Sequence, residues 1–575
     1  MTTNVAGSSS STDHRMITTS SSSSSSSSGY YRHAVALLFL VPALGGFLFG
    51  YDIGATSMTL VQLNGPQHLS GASFSLADAP VWIGLVVSSS SAGALLGMTI
   101  VYYVAESMGR RMELRVGGAL YMLGAVLEVM SAHQIPAPLS SSSSASSSLA
   151  LLVLIVARVI YGIGIGFAMH SAPAYLGEVM PPTIRGAVVS GKEVAIVLGM
   201  LLGYLVGYSF LNVYRGWSHT YAVSLVFSSV MVALSYYIPY SPRWLVSRGR
   251  DGEALKALMF VWKPEQAKIE HFSMIEARKI RAREMKRKTS AIPDNHIEVL
   301  SNEDYAASGG LETLFSVPSY RAALTAGVGL VVLQQITGQP SVLSYATPIL
   351  ISAGLSSYSS VLVAFFKVVA TTLAVVLVER SGRRKLLMAG CALMCLALMI
   401  LTVAFQGHEG GATSMKSSSS SRSSDHNGLD TRSAFILVGM FVYIAGYQVG
   451  FGPITWLIIS EVFPQSIRGQ AVALAVQTNF ALNAVVQFGV PLLEQQFGLS
   501  FMFGMFGLLT AYSIYFISTR VPETRGLTLE EIEEKFSAMS AGHGKNASWM
   551  RIERVGSEEE KIQLIPTASV YGGEI

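Results

Sequence analysis

Two charged residues stand where charge is expensive. Asp52 and Arg158 fall inside long apolar stretches, at 34–58 and 149–172. A charged side chain in hydrocarbon marks a pathway or a functional pair by default. Burial favours the protonated form of a carboxyl, and a neighbouring guanidinium favours the ionised form. A pair whose separation changes can therefore take up and release a proton. The other reading is a static bridge between two helices. A second kind of chemistry repeats along the chain. Glu106-Ser-Met-Gly-Arg110-Arg111 returns as Glu379-Arg-Ser-Gly-Arg383-Arg384, and Glu178-Val-Met-Pro-Pro-Thr-Ile-Arg185 returns as Glu461-Val-Phe-Pro-Gln-Ser-Ile-Arg468. Carboxylates and guanidiniums at such matched helix ends can pair bidentately. Pairs that form across two halves and break again would act as a gate, and exposed ones are worth only about 0–1 kcal/mol each.

The elements that must hold these groups are membrane spans. Half of the 575 residues are apolar and 13% are charged; the mean hydropathy is +0.46. A soluble protein of this length would divide into domains with charged surfaces. Here the apolar residues gather into stretches of about 20, enough to cross about 30 Å of hydrocarbon as helix. Twelve are expected: 34–58, 80–104, 113–132, 149–172, 188–210, 219–239, 320–352, 358–378, 385–406, 432–458, 468–491 and 498–518.

Lysine and arginine crowd into alternate connections. Those after the second, fourth, sixth, eighth and tenth stretches carry Arg110, Arg111 and Arg115, then Arg185, the run Arg278–Lys288, Arg380 to Lys385, and Arg468. The segments 59–79 and 133–148 have neither residue, while 407–431 is an exception with Lys416 and Arg422. By the positive-inside rule both termini face the cytoplasm or the equivalent side of an organelle. Residues 240–319 divide the stretches six and six, with helices expected around 253–260 and 269–288. The basic part of this linker is read as solvated or in touch with anionic headgroups. Serine runs at 20–28, 140–148 and 417–424 read as poorly ordered. The expected divisions are an arm (1–33), a six-helix half (34–239), the linker (240–319), a second half (320–518) and a tail (519–575).

The motif offsets of 273 and 283 residues mean that one six-helix unit is followed by another in the same order. Two parallel halves with a site between them near the midplane is a transporter architecture. No phosphate-binding loop and no zinc spacing is present, and His33 and His170 stand apart from other ligands. Cys391 and Cys395, four apart, are read as ordinary packing residues. The expectation is a carrier rather than an enzyme, with no cofactor, no metal and no nucleic-acid partner, acting as a monomer. Asn546, in an Asn-x-Ser pattern, lies in the inner tail and is expected to be unmodified.

Further motifs make a family resemblance specific. Gly45-Gly46-Phe-Leu-Phe-Gly50-Tyr51-Asp52, Pro173-Ala-Tyr175-Leu-Gly-Glu178, Ser241-Pro242-Arg243-Trp244-Leu245, Gln334-Gln335-Ile-Thr-Gly338, Gly452-Pro453-Ile-Thr-Trp456, Asn479 with Asn483, and Pro522-Glu523-Thr524-Arg525-Gly526 run from residue 34 to 535. Together they resemble the sugar porters of the major facilitator superfamily, an all-α membrane fold of twelve helices in two halves. The resemblance implies sugar contacts at Gln334, Gln335, Trp456, Asn479 and Asn483, with Tyr345 as a further candidate. Amides both donate and accept, and an aromatic face covers the C–H side of a sugar ring. Alone, each amide would read as a helix-bridging residue. The resemblance also implies that Asp52 takes the proton and Arg158 tunes it.

Some positions depart from the family pattern. Glu193 stands for a usual glutamine, Pro340 for a helix-seven asparagine, Lys367 for a helix-eight asparagine, Tyr240 for a glutamate, and Gln448 for another. These changes resemble the plant D-xylose–proton symporter-like subgroup, with vacuolar and plastidic members. Glu193 and Lys367, on cavity-lining positions of opposite halves, are expected to pair in at least one state, since a lone buried charge is costly. The implied function is monosaccharide transport by alternating access, as proton symport; the alternatives are uniport, export from an organelle, or a non-transporting sugar sensor. The plasma, vacuolar and plastid membranes all remain open at this stage.

Overall fold

The computed structural model describes residues 29–536 apart from 66–69, 73, 75, 77–78, 133–142, 291–310, 407–430, 465–466, 526 and 528–530. Six helices make the first half: α1 (Arg32–Asn64), α2 (Pro80–Met108), α3 (Arg110–Ala132), α4 (Ser143–Val179), α5 (Pro182–Ser209) and α6 (Gly216–Ser235). The linker carries α7 (Pro242–Ser247), α8 (Asp251–Val261), α9 (Pro264–Ser290) and α10 (Leu311–Ser316). The second half is α11 (Pro318–Ile336), α12 (Gln339–Ser344), α13 (Ala346–Ser352), α14 (Tyr358–Arg380), α15 (Arg383–Phe405), α16 (Thr431–Val449), α17 (Phe451–Val462) and α18 (Arg468–Arg520).

Among the described residues, ten helical segments are long and apolar enough to cross a membrane. They match the expected stretches once two breaks are recognised. α18 is 53 residues long and bends at Gly498, whose positive φ of 78° divides it into two spans. The expected 320–352 stretch is broken into α11, α12 and α13, so no single piece is span-length. Gly338, at φ +87°, makes the first break, and a Cβ there would lie 2.4 Å from the Phe506 ring. Left-handed backbone of this kind suits glycine, and Pro340 follows at the start of α12, where a missing N–H costs nothing. The serine run at 140–148 also differs from expectation, because α4 already begins at Ser143. Extending an existing helix is far easier than nucleating one, so the apolar span carries these serines with it.

Close helix crossings within the first half depend on glycine. A Cβ on Gly50 of α1 would sit 1.8 Å from the Ile196 carbonyl oxygen of α5, and one on Gly162 of α4 would sit 2.1 Å from that of Ser90 on α2. Small residues let backbones approach where lipid offers no hydrophobic drive between helices. In the linker, Leu245, Val246, Ala254 and Ala257 form a small core of their own. Arg278 ties α9 to it by two 3.1 Å bonds to Asp251.

The halves meet at the end opposite the basic loops. Ser57 and Thr347 hydroxyls are 3.0 Å apart, and Tyr204 donates to the Leu343 carbonyl at 2.6 Å. Ser91 on α2 donates to Asn483 (3.1 Å) and Gln487 (2.9 Å) on α18. At the basic-loop end, no ion pair joins the two halves among the described residues. These polar contacts between the halves thus lie away from the basic loops, while Phe480 of α18 packs into the core of the first half beside Phe49.

Candidate functional site: a buried charge cluster facing an inter-half cavity

Asp52 sits midway along α1 and Arg158 midway along α4, both essentially buried. Arg158 grips Asp52 with both arms, Nη1–Oδ1 at 3.0 Å and Nη2–Oδ2 at 3.2 Å. The remaining guanidinium donors reach the Val86 carbonyl (2.5 Å), the Tyr221 hydroxyl (3.0 Å) and the Ser90 hydroxyl (3.2 Å). A planar five-donor fork suits such a site in a way lysine cannot. Thr56, one turn after Asp52, adds a long 3.4 Å bond to its carboxylate.

The sequence reading overlooked a third charge. Glu128 of α3 is 1% exposed, with Oε1 3.6 Å from Arg158 Nη1. That oxygen has no hydrogen-bond partner among the described residues. The signal was available, because Glu128 lies inside the 113–132 stretch and intramembrane carboxylates are rare.

A small cavity of about 10 Å³, room for no more than about one water, adjoins this cluster in this conformation. Asp52, Thr56, Ser90, Ser91 and Arg158 form one wall, and Ser344, Asn483 and Gln487 of the other half form the opposite one. Asn483 is thus brought into reach of the charge pair. Tyr345 does not present its hydroxyl freely, since it donates to the Gln487 carbonyl at 2.9 Å.

The other amides lie together at the end of α11, placed there by the break at Gly338. Gln335 donates to Asn479 Oδ1 at 2.6 Å, and Gln334 donates to the Phe451 carbonyl at 3.0 Å. Both glutamines are nearly fully buried, and the Oε1 atom of each has no partner among the described residues. A buried acceptor is costly unless a donor fills it, and sugar hydroxyls are donors. Trp456 on α17 is half-buried against the core of the second half. Gln448 donates to Thr371 on α14.

The expected Glu193–Lys367 pair is not formed in this conformation. Glu193 Oε1 lies instead 3.3 Å from the neighbouring Lys192 Nζ and is 31% exposed. Lys367 is 5% exposed, with no ion pair among the described residues. The adjacent lysine is the nearer partner, although Glu193 is still the charged group that acts on the buried Lys367 ammonium from the opposite half.

In this conformation the gating residues pair within each half. Arg110 binds Glu113 (3.0 Å) and Glu178 (3.5 Å), and in the second half Arg383 binds Glu461 at 3.1 Å. These two arrangements are repeat equivalents, and each joins the start of one helix to the end of a neighbour in the same bundle. Arg111 caps the Ser235 and Tyr236 carbonyls (3.1 and 2.8 Å), and Arg384 caps Ser518 at 2.5 Å. Arg185 and Arg468 bind the Met180 and Phe463 carbonyls at 3.4 and 3.1 Å. Glu106 has an exposed side chain, and its carbonyl accepts from Trp244 (2.8 Å) and Arg248 (2.6 Å). The side chain of Glu379 lies outside the described residues. Glu178 Oε2, Arg185 Nε, Arg383 Nε and Arg468 Nη2 have no hydrogen-bond partner among the described residues, which leaves them capacity to pair anew. His170 is not isolated, since its Nδ1 lies 2.8 Å from Glu113 Oε2.

Two helical halves joined by polar contacts, with a buried ion pair and the amides of Asn483 and Gln487 on the cavity between them, define a membrane carrier of the major facilitator type. The chain belongs to the Sugar (and other) transporter family, whose model matches residues 38–536. It is 38% identical over 511 residues to the D-xylose-proton symporter-like 3, chloroplastic, of Arabidopsis thaliana, covering 87% of this chain and 82% of that protein. It is 29% identical over 526 residues to the D-xylose-proton symporter of Escherichia coli (strain K12), covering 86% and 94%. The inward-open xylose transporter XylE from E. coli superposes with a TM-score of 0.66 at 26% identity, over 87% of this chain and 99% of that one. The same transporter bound to 6-bromo-6-deoxy-D-glucose gives 0.65 at 27%, over 88% and 99%.

Proposed function

We propose that the protein moves a monosaccharide, hexose or pentose, by alternating access coupled to a proton. The observation that carries this reading is the bidentate Asp52–Arg158 pair on the wall of a cavity completed by Asn483 and Gln487 of the other half. In this conformation the pair is intact. Rocking of the halves, or a sugar drawing on Asn483 and Gln487, alters the neighbours of Ser91 and Arg158, and so the balance between ionised and protonated Asp52. One proton falling through 100 mV supplies about 2.3 kcal/mol, enough for roughly fifty-fold accumulation. Gln334, Gln335, Asn479 and Asn483 bind hydroxyls, and Trp456 packs beside them.

The positive-inside rule favours termini on the cytoplasmic or equivalent side, and the lack of an ion pair between the halves there, among the described residues, favours reading this conformation as inward-facing. The ion-pair network of Arg110, Glu178, Arg383 and Glu461 re-pairs across the halves when that mouth closes. The carrier acts as a monomer in the bilayer, drawing on the proton gradient and no cofactor. The similarity to a protein named chloroplastic favours an organellar membrane.

The test is internal pH in proteoliposomes while hexoses, pentoses and sucrose are added outside, with wild type beside Asp52→Asn. Acidification by one sugar, lost in the variant, establishes symport and names the substrate. Labelled sugar entry without acidification, unchanged in the variant, would make this a uniporter.

A further inference from the structure

We propose that Glu128 is a second proton-carrying carboxylate, storing the transported proton behind Asp52; this rests on the symport reading above. The cluster holds two carboxylates and one guanidinium. Arg158 Nη1 lies 3.0 Å from Asp52 Oδ1 but 3.6 Å from Glu128 Oε1. Asp52 takes both guanidinium arms, so Arg158 is committed to it. Glu128 is left at ion-pair distance only, 1% exposed, with Oε1 lacking any hydrogen-bond partner among the described residues.

Among the described residues, the groups facing Glu128 offer no second cation. They are Asp52 and Tyr51 from α1, Arg158 and Tyr161 from α4, and Tyr221 from α6. The α2 face supplies Ser90 and the Val86 carbonyl to the same arginine. With both carboxylates ionised the cluster would carry a net negative charge on side chains no more than 4% exposed, and an uncompensated buried charge is strongly unfavourable. One proton makes it neutral. Of the two carboxyls, the one without the bidentate partner is the one that holds it.

The geometry also orders the path. Asp52 lines the inter-half cavity and Glu128 does not. A proton therefore enters or leaves through Asp52, and crosses between the carboxyls beside Arg158 and the Tyr221 hydroxyl. The transfer balances as one proton leaving Glu128 for Asp52, with Arg158 remaining charged throughout. Storage on Glu128 lets Asp52 keep its arginine in the inward-facing form. Without the store, protonating Asp52 requires that pair to break first.

The experiment uses full-length protein in proteoliposomes, with D-xylose as probe. Sugar-driven proton uptake is measured and divided by counterflow exchange, which needs no net proton movement and reports folded carrier. For Glu128→Gln, which mimics the neutral acid but cannot release a proton, the ratio is expected to fall at least tenfold. Glu128→Asp should retain part of it. Infrared difference spectra on adding sugar should show a protonated-carboxyl band in wild type that Glu128→Gln abolishes, a readout independent of transport. A wild-type ratio and an unchanged carboxyl band in Glu128→Gln, with Asp52→Asn uncoupled, would overturn the role of Glu128 and leave symport standing. Sugar exchange without proton movement in wild type would overturn both.

Discussion

Removing Arg158 tests the charge arithmetic of the site most directly. The guanidinium is completely buried and makes five hydrogen bonds: two to Asp52 and one each to Val86, Ser90 and Tyr221. Arg158→Gln keeps a donor in place but leaves the ionised Asp52, beside the proton-bearing Glu128, without a countercharge. Breaking a buried ion pair from one side costs about 3–5 kcal/mol, or roughly two to three and a half powers of ten in the folded fraction. The triple variant Arg158→Gln, Asp52→Asn, Glu128→Gln is neutral throughout, and its amides can bond to one another. If uncompensated charge is the cause, the triple variant recovers most of that loss, because the three substitutions share one network and do not add. Thermal unfolding of the purified protein in detergent, followed by size-exclusion chromatography, reports both. The reasoning fails if the triple variant is as unstable as the single one. That outcome would mean Arg158 stabilises by filling space and capping Val86, with charge irrelevant. Neither variant should couple proton uptake to sugar entry.

Further expectations follow from single distances. Gln334→Ala or Gln335→Ala removes a buried acceptor offered to the sugar. Sugar binding measured by equilibrium dialysis should weaken about five- to one-hundred-fold, in line with 1–3 kcal/mol for a lost buried hydrogen bond; unchanged affinity would move the sugar elsewhere. Tyr204→Phe deletes the 2.6 Å bond to Leu343 that helps close the far side. At about 1 kcal/mol it should shift the population toward the outward-facing form about fivefold. Labelling of a cysteine placed on that side would report the shift, and slower labelling would contradict it. Gly50→Ala forces a methyl to 1.8 Å from the Ile196 carbonyl oxygen, whereas Gly469→Ala meets nothing within 4 Å. The first should cost at least about 1–3 kcal/mol by overpacking and the second almost nothing, as read by thermal unfolding. Glu461→Gln breaks a partly exposed pair with Arg383, so it should change stability by less than about 1 kcal/mol while altering the pH-independent exchange rate.

Much of the site could be read from residue order because membrane physics is local. Asp52 and Arg158 announced themselves by standing in apolar stretches, and the structure joins them bidentately. Glu128 met the same criterion and was passed over, because no repeated motif surrounded it. The amides came into view through the family motifs, since Gln and Asn in a span are ordinary without that context. The structure adds that two of them carry unfilled acceptors. The Glu193–Lys367 pair illustrates the opposite limit. Two charges in opposite halves are within reach only in some positions of those halves, and here Lys192 lies closer.

Sequence alone determined the membrane habit, the two-fold repeat and the side bearing the basic loops. Each follows from hydropathy, spacing or charge counted along the chain, because lipid requires every span to satisfy its own backbone. The tertiary structure decided which charges meet. It turned the repeated Glu and Arg motifs into pairs within each half, gathered Asp52, Glu128 and Arg158 from three helices, and set the amides at a break made by Gly338. Those outcomes depend on how the helices cross and how the halves rock, and the side chains concerned lie up to 144 residues apart. No local pattern in the chain encodes a distance that changes with conformation.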